Sequence, residues 1–300
     1  QGFSIPLILG KVERVHMRNP LLLATPARVS RFLALGFCVI AVTLASGCGS
    51  GGKESKNSVS GKVLLDGKAV DGTVVFVTSD KCYKNKEQQH GYVETDELGG
   101  IDPYSQSKAG AELVFAGYCA AKFNRTGTPR VASARAGNVI GGGDWSPDRL
   151  IPDCIRALER GDIIEIRNPH ATRPWQHVLE PLSGYVRLAV ALEDGTADSR
   201  SSWNFGPPET SVHEVHEVAG YVATSWGRPD AVKVGKDTSA MHESQLLQLN
   251  SGKAHAHLSW STRWNFAETM NQTTAWYRNL RDGAKAANLT RDDIKAYLAR

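Results

Sequence analysis

The chain has 300 residues, 41% of them hydrophobic, enough for one large core or two cores in close contact. Its 35 Lys and Arg against 31 Asp and Glu leave a net charge of +4, too small and too dispersed to suggest a nucleic-acid binder. The five cysteines, at 38, 48, 82, 119 and 154, show no Cys-x-x-Cys spacing, which argues against a disulfide framework and for reduced, intracellular thiols in the later part of the chain.

From Met17 the chain offers Arg18, Arg28 and Arg31, then an apolar run from Phe32 to Ala45 and the tetrapeptide Ala45-Ser46-Gly47-Cys48. The run is shorter than the roughly 20 residues that span a bilayer, but it suits the core of a secretory signal. The small residues before Cys48 resemble a bacterial lipoprotein lipobox, with Ala45 where Leu is usual. Cleavage there would leave a lipidated Cys48 at the head of a flexible Gly/Ser-rich tether. Gly47, Gly49 and Gly52 also satisfy Gly-x-Gly-x-x-Gly, and Gly47 to Lys53 mimics a Walker A loop. A phosphate-binding helix should open at those glycines, yet Lys53 to Ser60 is polar and aperiodic, and Glu54 stands where Ser or Thr would bind magnesium. Both matches read as accidents of the tether.

Asp66-Gly67 between apolar runs signals a hairpin pairing residues 59 to 65 with 69 to 77. The apolar stretch Val74 to Val77 ends in Thr78-Ser79-Asp80-Lys81, and Asp102-Pro103-Tyr104-Ser105-Gln106-Ser107-Lys108 follows. On a helix, Tyr104 and Lys108 share one face. An ammonium close to a phenol favours the phenolate, which turns an inert ring into a base usable near neutral pH. Ser79, at the end of its strand, is placed to hydrogen-bond the same substrate oxygen. Together the three form a Ser/Tyr/Lys constellation suited to taking a proton from a hydroxyl whose carbon gives up hydride.

Gly141-Gly142-Gly143 follows a strand but leads to Asp144-Trp145 with no helix directly after, so it reads as a flexible connection rather than a phosphate loop. Leu150 to Leu158 has helical spacing, Ile163 to Ile166 is a short apolar strand, and Glu180 to Leu192 is an amphipathic helix. Trp264 to Leu280 is another helix, and Thr290 with Asp293 forms a capping box for a last helix reaching Leu298. Trp203, Trp226, Trp260, Trp264 and Trp276 read as core residues. His213 and His216 are three apart, and His255 and His257 two apart, so neither pair makes the His-Glu-x-x-His zinc pattern, and no metal is expected.

Four segments together resemble the extended short-chain dehydrogenase/reductases and, within them, the nucleotide-sugar 4,6-dehydratases. They are Val-Thr-Ser-Asp-Lys-Cys-Tyr (77 to 83), Asp-Pro-Tyr-Ser-Gln-Ser-Lys (102 to 108), Ser-Ala-Arg-Ala-Gly-Asn-Val-Ile-Gly-Gly-Gly-Asp-Trp (133 to 145) and Arg-Asn-Pro-His-Ala-Thr-Arg-Pro-Trp-Gln-His-Val (167 to 178). Asp148 to Pro152, Trp203 to Pro207 and His242-Glu243 continue the likeness, which runs from about Val74 to Arg278.

The resemblance implies an α/β fold: the C-terminal part of a Rossmann-like NAD-binding domain followed by a smaller mixed α/β substrate domain. It implies NAD as cofactor, held at its nicotinamide end by Ser79, Tyr104 and Lys108, and a nucleotide-sugar substrate. By the family's chemistry Tyr104 deprotonates the sugar 4-hydroxyl with Ser79 assisting, and Asp80 protonates the departing 6-hydroxyl. Lys81 stands where a Glu takes the C5 proton in most members; the branch acting on CDP-glucose is similar in carrying Lys here. Asn138 is implied to touch the sugar or its phosphate, and Arg149 and Arg173 to sit on the diphosphate, with Arg167 a third candidate. A homodimer through the Tyr104/Lys108 helix is also implied. Related 4-epimerases use the same Tyr and Lys but need no acid for elimination.

The resulting domain expectation is a leader and tether at 1–58, a hairpin joining the sheet at 59–77, the remaining half of the NAD-binding domain at 78–149 and the substrate domain at 150–300. The strands and helices that cradle adenosine and pyrophosphate in the family are not recognisable before Val74, and the chain opens on Gln1, so a fragment or chimeric reading frame is one expectation. A cytoplasmic enzyme is the leading reading of location. The rival is a membrane-anchored, catalytically dead lipoprotein fusion with lipid on Cys48.

Overall fold

The computed structural model describes residues 64–65, 68–69, 72–88, 90–123, 127–166, 168–235 and 246–300. The leader, Cys48, Arg167 and His242-Glu243 lie outside them. Leu64–Leu65 (β1) pairs antiparallel with Lys68–Ala69 (β2), in a two-stranded ladder of its own. The second arm of the expected hairpin does not run on to residue 77. Gly72 intervenes at φ +155, and Thr73–Val77 (β3) begins a different, parallel sheet.

That sheet has the order β3, β4 (Arg130–Ala136), β9 (Ser202–Phe205), all parallel, with Val75 opposite Ala132 and Ala134 opposite Trp203. Parallel strands must be joined by crossovers, and the first is the helix α1, Pro103–Ala121. Its start is written in the sequence: the Asp102 carboxylate accepts from the Ser105 amide at 2.9 Å, and Pro103 fills the first turn, where its missing N–H costs nothing. Phe115 on α1 meets Phe76 with ring centroids 5.2 Å apart, covering one face of the sheet. The other face is covered by α3 (Leu179–Glu193) and α5 (Gly252–Leu258) through Leu188, Leu192, Trp203, Phe205 and Trp260. Such burial on both faces is what a parallel sheet requires.

A second core lies under α2 (Leu150–Arg160), α4 (Val215–Trp226) and α6 (Phe266–Arg281), where Ile155, Val218, Val222, Met270 and Tyr277 are fully buried. Around it run β5 (Val139–Ile140) parallel to β8 (Gln176–His177), β6 (Ile164–Ile166) parallel to β11 (Val232–Val234), and β7 (Thr172–Pro174) antiparallel to β10 (Val212–Glu214). The five tryptophans assigned to the core are buried, between 1% and 8% exposed.

Two local readings are corrected. The last helix, α7, spans Ala286–Leu298 and starts after Lys285, so Thr290 is interior rather than a cap. The good helix formers before it extend the helix backwards, and its hydroxyl accepts from Trp276 Nε1 at 3.3 Å. Gly141-Gly142-Gly143 is a close-packed crossing rather than a flexible connection. A Cβ on Gly142 would lie 2.1 Å from the Trp276 ring, and one on Gly141 2.8 Å from Val178.

Candidate active site

Ser79, Asp80 and Lys81 sit at the carboxyl end of β3, where Asp80–Cys82 forms one turn of 3-10 helix capped by Ser79. Open parallel sheets place their ligand sites at this edge. The Ser79 hydroxyl accepts from the Lys81 amide at 3.2 Å and donates to Asp80 Oδ1 at 2.9 Å. Asp80 is 4% exposed, and burial pushes its carboxyl above the ordinary aspartate range although Lys81, Ser79 and Arg173 pull the other way. Lys81 Nζ lies 3.9 Å from Asp80 Oδ2. A Cβ on Gly137 would come within 3.4 Å of that same oxygen and 4.0 Å of Pro174, so the Asn138 loop and β7 close over the Asp80 carboxyl. The structure therefore gathers Ser79, Asp80, Lys81, the Asn138 loop and Arg173 around one point.

Tyr104 and Lys108 occupy the first turns of α1, with the ammonium 5.4 Å from the ring centroid, and Tyr104 is 56% exposed. Where they project follows from a residue that linear reading missed. Glu112, one turn beyond Lys108, is 2% exposed and accepts from the Thr78 hydroxyl, immediately before Ser79. With Glu112 opposite Thr78, and Phe115 opposite Phe76, α1 runs back along β3. Its first turns extend past the sheet's carboxyl edge, where Ser79 and Asp80 also lie.

Glu112 belongs to a buried polar network. Its Oε2 accepts from Arg135 Nη2 at 2.7 Å, from Ser133 Oγ at 2.9 Å and from Ser202 Oγ at 3.2 Å. Arg135 also donates to the Tyr83 hydroxyl at 2.7 Å, which donates in turn to Asn204 Oδ1 at 2.8 Å. Burial alone would raise the Glu112 pKa; the bonds from Arg135, Thr78 and Ser133 outweigh it and hold the carboxyl below the usual range. The signal in the sequence was Glu112 four residues after Lys108 and Arg135 among the small residues of the strand Arg130–Ala136, two charges that pattern alone assigns to solvent.

Of the remaining candidates, Arg149 caps α2 at the surface, 4.0 Å from Asp144. Asn138 is half-buried just before β5. Arg167 lies outside the described residues. His177, inside the last of the four segments, is buried; burial lowers its pKa to about 4, and its Nδ1 accepts from the Leu179 amide at 3.3 Å, so it serves as a neutral structural imidazole. At the same carboxyl edge a cavity of about 390 Å³ opens between Gly206-Pro207-Pro208 after β9 and Asn250-Ser251. It does not reach Asp80 or Tyr104, so the chemistry is assigned from the side chains and not from this cavity.

A sheet of parallel strands crossed by a Tyr/Lys helix, with Ser and Asp at the carboxyl edge, defines a class. Residues 62–206 match the NAD dependent epimerase/dehydratase family. It is 41% identical over 230 residues to CDP-glucose 4,6-dehydratase of Salmonella typhimurium, an alignment that covers 75% of this chain and 64% of that protein. It is 26% identical over 232 residues to dTDP-glucose 4,6-dehydratase of Actinoplanes sp., covering 76% and 68%. Among solved structures it is similar to a dTDP-glucose 4,6-dehydratase from Bacillus anthracis in complex with NAD, with TM-score 0.59 and 21% identity over 70% of this chain and 63% of that one. A dTDP-glucose 4,6-dehydratase from Streptomyces venezuelae with NAD bound gives TM-score 0.58 and 25% identity over 70% and 61%. The chain thus spans just under two thirds of the length of the Salmonella relative.

Proposed function

We propose that the chain derives its chemistry from a nucleotide-sugar 4,6-dehydratase, a lyase of deoxysugar biosynthesis, and that its substrate is CDP-glucose. The observation that carries the reaction type is Asp80: a carboxyl whose hold on its proton is strengthened by burial, beside Ser79, is suited to donate that proton, which elimination needs and epimerisation does not. The substrate rests on the 41% identity to the CDP-glucose enzyme and on Lys81.

The described residues fit the nicotinamide end of NAD: Tyr104 and Lys108 present a hydroxyl and an ammonium past the sheet edge, and the exposed Tyr104 ring leaves room for a partner. The glycines between 47 and 52 lie outside the described residues, so no pyrophosphate cradle is assigned. NAD, held at its nicotinamide end by Ser79, Tyr104 and Lys108, would supply the hydride acceptor for sugar C4 and the hydride donor for C6. Tyr104 takes the proton of the 4-hydroxyl while Ser79 hydrogen-bonds the same oxygen, which leaves a 4-ketone and an acidic C5–H. The C5 proton passes to solvent water as Asp80 gives its own proton to the 6-hydroxyl, which departs as water; C5 is reprotonated when hydride returns to C6, and the neighbouring Lys81 ammonium stabilises the Asp80 carboxylate so formed. Asn138, Arg149, Arg167 and Arg173 take the sugar and diphosphate, Arg as a planar fork of donors.

A homodimer through α1 is part of this reading. Leu113, Val114 and Tyr118 are exposed along that helix, at 62%, 42% and 42%, an apolar strip that a second copy would cover. We place the enzyme in the cytoplasm; no helix among the described residues is long and apolar enough to cross a membrane. Recovery of the chain in washed membranes, with lipid on Cys48, would overturn that placement.

Incubating the chain with CDP-glucose and NAD tests the reaction. A CDP-4-keto-6-deoxyhexose is expected, and a C4 epimer in its place would favour the epimerase. Titrating NAD into the 300-residue chain tests the cofactor half separately. Weak binding is expected if Ser79, Tyr104 and Lys108 supply the main hold on NAD, and a tight isotherm would refute that.

A further inference from the structure

Three side chains from two separate segments converge beside the strand that carries Arg173. His170 lies in the turn between β6 and β7; Glu214 ends β10 and caps α4; His216 sits in the first turn of α4. His170 Nδ1 and His216 Nδ1 each lie 3.0 Å from the same oxygen, Glu214 Oε2. The three donor atoms fall within 4.8 Å of one another, and the two rings meet edge-on at 69°. Linear spacing could not show this, because His170 is supplied by another part of the chain.

We propose that His170, Glu214 and His216 form a site for a borderline divalent cation of the zinc type. Two imidazoles and a carboxylate are the donor set of an open zinc site, with a fourth position left to water. Hard cations such as magnesium prefer oxygen ligands and are disfavoured by two nitrogens. In a tetrahedron with bonds of roughly 2.0–2.1 Å, ligand atoms stand about 3.3 Å apart, so the 3.0 Å spacings need only a small outward rotation.

The backbone holds the donors in place. The Val215 amide donates to Ala171 O at 3.0 Å and the His216 amide to Pro169 O at 3.1 Å, so the residues flanking His170 are stapled to those beside Glu214 and within the α4 turn. The β7–β10 ladder continues the staple, with Glu214 opposite Thr172. Without metal, Glu214 Oε2 accepts from the imidazoles, and His216 Nδ1 also lies 3.2 Å from Pro169 O. Metal binding moves each ring proton to Nε2 and frees the Nδ1 lone pairs. The side chains of His170, Glu214 and His216 are 77%, 35% and 39% exposed, which gives the ion a direct path from solvent. This site is independent of the dehydratase reading, and its test does not use activity.

The experiment is calorimetric titration of the chelator-stripped 300-residue chain with zinc chloride alone. A saturable site of micromolar affinity is expected, with a rise in Tm at saturating zinc. His170→Ala, at the most exposed of the three positions, should weaken that site at least tenfold and abolish the Tm rise. His216→Ala should do the same, whereas the exposed His90→Ala and a magnesium titration should show neither effect. Absence of saturable zinc binding, or zinc binding by His170→Ala that matches the unaltered chain, overturns the proposal. Equal loss in His90→Ala would mean general histidine capture and also overturns it.

Discussion

The first turn and the middle of α1 live in opposite surroundings. Glu112 is 2% exposed and bonded on both carboxylate oxygens, whereas Tyr104, two turns earlier, is 56% exposed and touched by the Lys108 ammonium. The middle fixes where the helix lies on the sheet; the first turn is left open for what must come and go. The buried middle is worth stability and the open first turn chemistry, and substitutions should separate the two.

Glu112→Ala should have the largest effect. It leaves the Arg135 guanidinium buried without its carboxylate, a loss of about 3–5 kcal/mol, measurable as a shift in urea midpoint. A change under ~1 kcal/mol would mean that water replaces the carboxylate and that the buried middle of the helix is no anchor. Tyr104→Phe should act the other way round. Formation of the 4-keto product should fall by roughly 10²–10⁴-fold, with stability changed by no more than about 0.5 kcal/mol. Preserved turnover would remove Tyr104 from the role of base.

Asp80→Asn sharpens the comparison, because Asp80 is a buried group assigned to chemistry. Elimination should fall by roughly 10²-fold or more, while hydride removal from C4 persists as slow NADH formation. Its stability effect has a definite sign. A carboxyl whose folded pKa is raised contributes fully below its unfolded value, and that contribution is lost as pH rises through the folded value. The Asn variant should therefore lose this pH dependence and gain relative stability toward neutral pH, as thermal melts between pH 4 and 8 would reveal. The smallest effect is expected for Glu112→Gln. It keeps bonds to Thr78 and Ser133 but loses the charge on Arg135, at a cost of about 1–3 kcal/mol.

What could be read in advance follows from the range of the interactions. Asp102-Pro103 announced the start of α1, and apolar spacing announced α2, α3 and α6, because a cap or a helical face is decided within a few neighbours. The Glu112–Arg135 pair spans 23 residues and two elements, and nothing local distinguishes it from two solvated charges. Gly142 looked like slack until Trp276 from α6 came to rest on it. Thr290 looked like a cap because Ser and Thr favour that position, but Lys285 to Leu289 already extend the helix. At the candidate site, the contiguous Ser79-Asp80-Lys81 and the i, i+4 pair Tyr104/Lys108 were legible. The way Gly137 and Pro174 shut Asp80 away from water was not, since those residues come from two later segments.

Glu180, fully buried on α3, accepts from the Arg263 and Trp264 amides and from the Tyr297 hydroxyl at 2.6 Å, a partner 117 residues further along. A ribosome makes α3 well before it makes that tyrosine. Until residue 297 has emerged, the carboxylate faces a half-built shell, and water rather than protein must satisfy it. Completion of this region is therefore timed by translation, and a pause before that codon would prolong the interval in which the apolar faces of α3 and α6 stand uncovered.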